Sequence, residues 1–423
     1  MKRTLLLGAL SAANIAGFAF FQLAVVSHFG PGDISDAFFA SLTLPQLFMA
    51  IVGGALNSAL VPMFSGEAKS KQNQDAWTLI VALGAGLLVV ACIAAATAQF
   101  WVPWLVPGFS AAALAQTIVF SRVSVFTLAL TAINFVQAAL AQARGQVVAL
   151  ECALALPTLL ATLAVVILLP KYGVGCVMWA FVLRPVLQCL AMVVLHQKPT
   201  AIDFQSGVLR ETWKRVRPIL LASGYYKLDP VVDRALMSWA VPGSMSMLLI
   251  VQQVHSACSQ VLAKMLVSPV FGPMAEDFKQ GRLAQFWARF NKLIKSTLLL
   301  AITVAFAIPI AIAILTAVSG QPIPGFSGRA GELLVLFALS AGMLVVGALG
   351  AVTTTAFFAR HQPGHLAKLA SSAFTIGALV KILLFYMFGI QGLAFGVSCY
   401  FTLSFLLQWR ALTRMQATDG VSP

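Results

Sequence analysis

Apolar positions along this chain do not form the stripe of a soluble helix or the alternation of a half-buried strand. They come in blocks of about 20 or more residues, long enough to cross a hydrocarbon core of about 30 Å as helices. A hydropathy window of about 19 residues predicts twelve spans. They lie near residues 4–28, 36–62, 77–100, 117–141, 147–169, 174–195, 218–241, 245–272, 296–318, 332–358, 366–388 and 391–409. Residues 101–116 are apolar but carry Pro103, Pro107 and Gly108, so they are expected at the interface rather than across it. The first thirteen residues have the form of a secretory leader, with Lys2-Arg3, an apolar run and small residues. The run continues to Val26, which favours an uncleaved first span.

The second span sets the frame for the rest. Gly32–Pro62 begins at a Pro31-Gly32 turn, carries Asp36 at its mouth, and is interrupted by Pro45 and by Gly53-Gly54. A plain anchor needs none of these features. They suit a bent helix that lines a cavity, with Pro45, Gly53 and Gly54 as hinges. Shifting the chain by 211 residues lays Pro31-Gly32 on Pro242-Gly243, Ser35 on Ser246 and Pro62-Met63 on Pro273-Met274. Corresponding second and eighth spans imply a duplication. The expected fold is therefore an all-α polytopic membrane protein of two pseudo-symmetric six-helix lobes, residues 1–195 and 218–409, joined by a linker at 196–217 and followed by a tail at 410–423. An even number of spans per half gives both lobes one orientation, with a central cavity between them.

Composition and charge place the chain in the bilayer. It is 60% hydrophobic and 9% charged, against roughly 25% charged residues in soluble domains. The net charge of +14 could indicate nucleic acid, but its distribution argues for topology. With the N-terminus in the cytoplasm, inner segments hold nineteen Lys and Arg, including Lys198, and outer ones hold Lys171 and Arg329. Both termini are then cytoplasmic. The connection at 273–295 has an aromatic face and a basic face and is expected to lie on the inner leaflet. Six cysteines inside apolar runs read as buried thiols.

Charges inside spans are the candidate chemistry, because each is unfavourable in lipid unless paired or wetted. They are Arg122, Glu151 and Arg184 in the first half, and Lys227, Asp229, Asp233, Arg234, Lys264 and Lys381 in the second. Around Pro230, a further hinge candidate, Asp229 and Asp233 share one helical face, and Lys227 and Arg234 another. Two readings stand: a site for an anion, cation or proton, or an internal ion-pair set between spans seven and eight. His255 reads as facing a polar interior. No His, Asp or Glu cluster has metal-ligand spacing, and no nucleotide-binding or hydrolase motif is present. No cofactor or catalytic residue is expected.

The stretch SDAFFASLTLPQLFMAIVGGALNSALVP resembles the second span of the MurJ/MviN family, lipid-linked saccharide flippases of the MOP (multidrug/oligosaccharidyl-lipid/polysaccharide) superfamily. Asp36-Ala37-Phe38-Phe39, Pro45, the glycine pair and Val61-Pro62 carry the likeness. KLDPVVDRALMSWAVPGSMSM and the residues that follow are similar to spans seven and eight, best at Asp233, Gly243, Ser246 and Pro273. The resemblance implies two lobes around a cationic, alternately exposed cavity, and a polyprenyl-pyrophosphate-linked saccharide as substrate. Members that carry peptidoglycan precursors have cavity arginines that fall here on Met49 and Val254, and two further spans. Anion binding is therefore expected at Lys227, Arg234, Lys264, Arg122 and Arg184, with Asp36, Asp229 and Asp233 in coupling or gating. The expected setting is the bacterial inner membrane. Expected partners are membrane lipid, H+ or Na+ as coupling ion, and a glycan polymerase. A cation-coupled drug exporter of the same superfamily and a non-transporting scaffold are the alternatives.

Overall fold

The computed structural model describes residues 2–196, 199–319, 326 and 328–420. Lys198 and the last three residues of the expected tail lie outside the described residues. The described chain is helical throughout and packs as two compact units, Met1–Gly243 and Ser244–Pro423.

The first unit contains α1 (Lys2–Phe29), α2 (Asp33–Ser41), α3 (Thr43–Phe48), α4 (Gly54–Phe64), α5 (Lys69–Ala96), α6 (Ala98–Leu105), α7 (Ala111–Ser124), α8 (Thr127–Ala143), α9 (Val147–Tyr172), α10 (Val174–His196), α11 (Val208–Gly224) and α12 (Asp229–Met237). Here α1 and α10 pack on α9, while α4 and α5 pack on α8. A core of Leu56, Leu60, Phe64, Leu79, Val136 and Leu140 ties α4, α5 and α8 together, and Val208 and Val216 of α11 complete it. Residues 208–243, which the two-lobe expectation places largely in the second half, thus pack with the first.

The second unit contains α13 (Ser244–Leu262), α14 (Ser268–Lys279), α15 (Leu283–Ser319), α16 (Ala330–Leu339), α17 (Ala341–Ala359) and α18 (Pro363–Thr418). The last of these is two helices merged across Gly389, whose φ of 61° breaks the helix and falls between the eleventh and twelfth predicted spans.

Among the described residues, nine helical stretches are long and apolar enough to cross a bilayer, and their central windows are only 11–61% buried. Val89, Ile93, Leu160, Leu163, Ile167, Leu299 and Phe306 are exposed on the outside. Apolar surface on this scale is what a lipid-facing helix presents, and soluble monomers do not carry it. It also corrects the reading of the cysteines. Cys92 is exposed and the other five are half-buried, because an apolar run in a membrane helix faces lipid as often as protein.

The connection at 273–295 is also corrected. It does not form a separate helix with its apolar face turned outward. From Leu283 it is the first part of the 37-residue helix α15, and Phe286, Trp287 and Phe290 are 0–1% exposed, packed against Val352, Ala356, Phe357 and Leu412. The three rings meet edge to face, with centroids 5.1 and 5.6 Å apart. Such contacts are directional and favourable beyond area burial. The face that reads as membrane-seeking is used within the protein.

Candidate functional site

The second span explains how the first unit holds a cavity. Pro45 lacks an N–H, so the Ser41 carbonyl one turn earlier loses its helical donor. The hydroxyl of Ser124 donates to that carbonyl instead, at 2.8 Å. Next comes a π-helical turn, Met49–Gly53, a geometry associated with functional sites. The repeat carries the same device, with a π turn at Ala263–Val267 that includes Lys264. Gly53 is needed for contact: a Cβ there would fall on the ring of Phe135. Gly54 leaves its side of the helix open toward Lys227, 3.7 Å from where a Cβ would sit.

Behind this turn lies a cavity of about 480 Å³ within the first unit. It is lined by polar residues Asn14, Asn57, Thr131, Asn134, Gln142, Glu151, Arg184 and Gln188, with Met49, Gly53, Gly54 and Phe135 on the second-span side. Helices α1, α8, α9 and α10 contribute side chains and are joined by a relay of hydrogen bonds. Thr158 donates to Asn14 Oδ1 at 2.7 Å, Gln188 Nε2 to the Leu154 carbonyl at 3.1 Å, and Asn134 Nδ2 to Gln188 Oε1 and the Pro185 carbonyl, both at 3.3 Å. Being neutral, these amides do not stand out beside the intramembrane charges. An Asn or Gln in the middle of an apolar span, as at 134 and 188, is the signal that would have found them.

Arg184 is the cation of this cavity. Its guanidinium carbon lies 4.3 Å from the ring centroid of Phe18 and 5.7 Å from that of Phe181. Among the described residues it has no hydrogen-bond acceptor, and its Nε is buried with no partner. Glu151 lines the same cavity. Aromatic faces satisfy a guanidinium only in part. The in-plane donors of the fork stay available to an anion.

Two other expected cations sit on the same span. Lys227 donates to the Ala50 carbonyl inside the π turn, and Arg234, buried in α12, donates to Gln46 Oε1 one turn earlier. Lys227 belongs to a 3-10 turn, Tyr226–Leu228, that precedes α12. The helix is therefore not continuous from 227 to 234, and both cations reach the second span. Pro230 occupies the first turn of α12, where a missing N–H is harmless. Asp36 is 3% exposed and accepts the N–H of Gly243 at 2.7 Å, in the first turn of α2 where the helix dipole favours a carboxylate. Asp233 is buried and Asp229 half-buried. Arg122 is exposed on α7, and Lys264 is exposed on the second unit. In that unit Lys381 is fully buried with its ammonium 4.8 Å from the Tyr400 ring centroid, and His255 is buried against Phe337 rather than facing a polar interior.

Residues 25–421 match the family described as "Lipid II flippase MurJ". The chain belongs to the MurJ family. A solved structure titled "Lipid II flippase MurJ, inward closed conformation" superposes with a TM-score of 0.82 at 14% identity, over 97% of this chain and 87% of that one. An inward-facing multidrug resistance MATE family transporter of the MOP superfamily gives 0.79 at 13% identity, over 98% and 96%. A MOP superfamily transporter from Pyrococcus furiosus, titled for a binding pocket of reversed polarity, gives 0.63 at 12% identity, over 99% and 96%. At these identities the neighbours establish the fold. Family and fold together make this a multi-pass membrane protein of the MurJ family with the fold seen in MOP superfamily transporters.

Proposed function

We propose that the protein moves a polyprenyl-pyrophosphate-linked saccharide, a cell-wall or exopolysaccharide precursor, across the bacterial inner membrane by alternating access. The observation that carries this reading is Arg184: a guanidinium in a polar intramembrane cavity with no acceptor. A fork of N–H donors matches the oxygens of a phosphate in geometry and charge. In this reading the pyrophosphate meets Arg184, with cavity amides completing its hydrogen bonds, and Lys227 stands at the mouth beside Gly54. The prenyl chain stays in lipid, and two lobes rock about the site. Asp36 and Asp233 gate the movement, an H+ or Na+ gradient drives it, both termini are cytoplasmic, and a glycan polymerase receives the product. A cationic drug is disfavoured as cargo because it would be repelled by Arg184.

The test is transport in proteoliposomes of a fluorescent polyprenyl-pyrophosphate disaccharide, read by its accessibility to a membrane-impermeant quencher. Arg184→Gln is expected to lower the rate at least tenfold. A polyprenyl-linked neutral sugar should be moved poorly by both proteins. Wild-type rates for the variant, or equal transport of the neutral lipid, defeat the proposal.

A further inference from the structure

A second cationic cavity, of about 640 Å³, lies in the other unit, and the transport reading makes no use of it. Its wall is formed where α18 begins and where it ends: Arg360, Gln362, His365, Arg410, Arg414 and Asp419 supply the polar part. Leu369, Leu407, Ala411 and Met415 supply an apolar flank. Only part of its charge is used internally. Asp419 accepts Arg360 at 2.5 Å and the indole N–H of Trp287 at 3.0 Å. Arg360 itself is enclosed by the rings of Phe278, Trp287 and Phe286, at 5.0, 5.4 and 5.9 Å from their centroids. That pair is a structural clasp.

Arg410 and Arg414 have no such role. They are exposed, and as neighbours four residues apart on one helical face they repel each other. Among the described residues neither guanidinium has a hydrogen-bond or ion-pair partner. Two unpaired guanidiniums, an imidazole at the first turn of α18 and an apolar flank running down the helices fit a phosphate joined to hydrocarbon. Gln362 adds a further demand. It caps the start of α18, and its side-chain oxygen is buried with no donor. A phosphodiester has no O–H of its own to offer it. A headgroup carrying a hydroxyl does.

We propose that this cavity binds an anionic phospholipid with a hydroxylated headgroup, of the phosphatidylglycerol type. The phosphodiester sits between Arg410 and Arg414. A headgroup hydroxyl donates to Gln362, and an acyl chain lies along Leu369 and Leu407. A basic pocket between membrane helices is a recognised form of lipid headgroup site.

The test uses the purified full-length protein in detergent, with lipid binding read by native mass spectrometry across a titration. Phosphatidylglycerol is expected to bind at least tenfold more tightly than phosphatidylcholine. The double variant R410Q/R414Q should lose about 10–30-fold of that affinity, since each basic residue near a headgroup contributes roughly a factor of five. Gln362→Leu should remove the preference for phosphatidylglycerol over phosphatidylmethanol, a diester without a headgroup hydroxyl, while leaving the latter's binding in place. Both arginines are exposed, so the double variant should melt as the wild type does. Undiminished phosphatidylglycerol binding by the double variant overturns the site. Inorganic phosphate displacing the lipid at equal concentration overturns the lipid as its occupant.

Discussion

Arg184→Met separates a cation kept for a ligand from one kept for the fold. An uncompensated charge destabilises a protein by about 3–5 kcal/mol when fully buried; Arg184 is half-buried, which makes that range the ceiling. The aromatic contacts with Phe18 and Phe181 return roughly 2 kcal/mol when desolvated. The remainder, about 1–3 kcal/mol, is what the empty protein gains when methionine, similar in length and uncharged, takes the place of the arginine; water in the cavity moves the value toward the lower end. The empty Arg184→Met protein is therefore expected to melt at a higher temperature than wild type in the same detergent. The ligand response should move in the opposite direction. A polyprenyl pyrophosphate at about 100 times its dissociation constant stabilises the wild type by about 2.7 kcal/mol, and the variant should show no such rise. The assay is the apparent melting temperature of both proteins with and without the lipid. A variant that melts several degrees lower when empty would refute the reasoning, because Arg184 would then be a structural element of the α1–α10 packing.

Asp36→Asn weakens the charge-assisted bond to the Gly243 N–H and should cost roughly 1.5–3 kcal/mol, read as a lower melting temperature together with faster hydrogen exchange at Gly243. Gly53→Ala drives a methyl group into the Phe135 ring; it should reduce both stability and transport, and Phe135→Leu in the same chain should restore the stability. Asp419 accepts from Arg360, which holds its carboxyl below the usual carboxylate range. Because the folded value lies below the unfolded value of about 3.9, the clasp contributes fully above that pH and is lost only as pH falls through the lower folded value. Melting temperature followed from pH 7 to pH 3 should therefore decline less steeply in Asp419→Asn than in wild type, from a lower starting point at pH 7.

The spans were legible because hydrocarbon thickness sets a length that a hydropathy window detects without knowledge of packing. Residues 366–388 and 391–409 were separated in the sequence at the place where Gly389 breaks α18. The 211-residue repeat paired the second and eighth spans, and a π turn occurs in both copies at nearly equivalent positions. What a window cannot register is the direction in which a side chain points. Arg122, Arg184 and Lys264 are equivalent by that measure, yet Arg184 enters a cavity while Arg122 and Lys264 are exposed. The same blindness misplaced Phe286, Trp287 and Phe290, whose amphipathic pattern fits a membrane surface as well as the core they fill.

The distinction between these cations lies in what already occupies their donors. Lys227 and Arg234 each hold an acceptor on the second span, although the Nε of Arg234 is buried without a partner, so an anion that draws either side chain away competes with that acceptor. Arg184 has aromatic faces and no acceptor, and its donors need no such exchange. An incoming phosphate therefore gains most at Arg184, and it gains at Lys227 only if α12 gives up its hold on the π turn. In the proposed transport cycle the second span would convert occupancy of the cavity into movement: its bend lines the cavity, and its carbonyl at Ala50 is the contact that a competing anion would release.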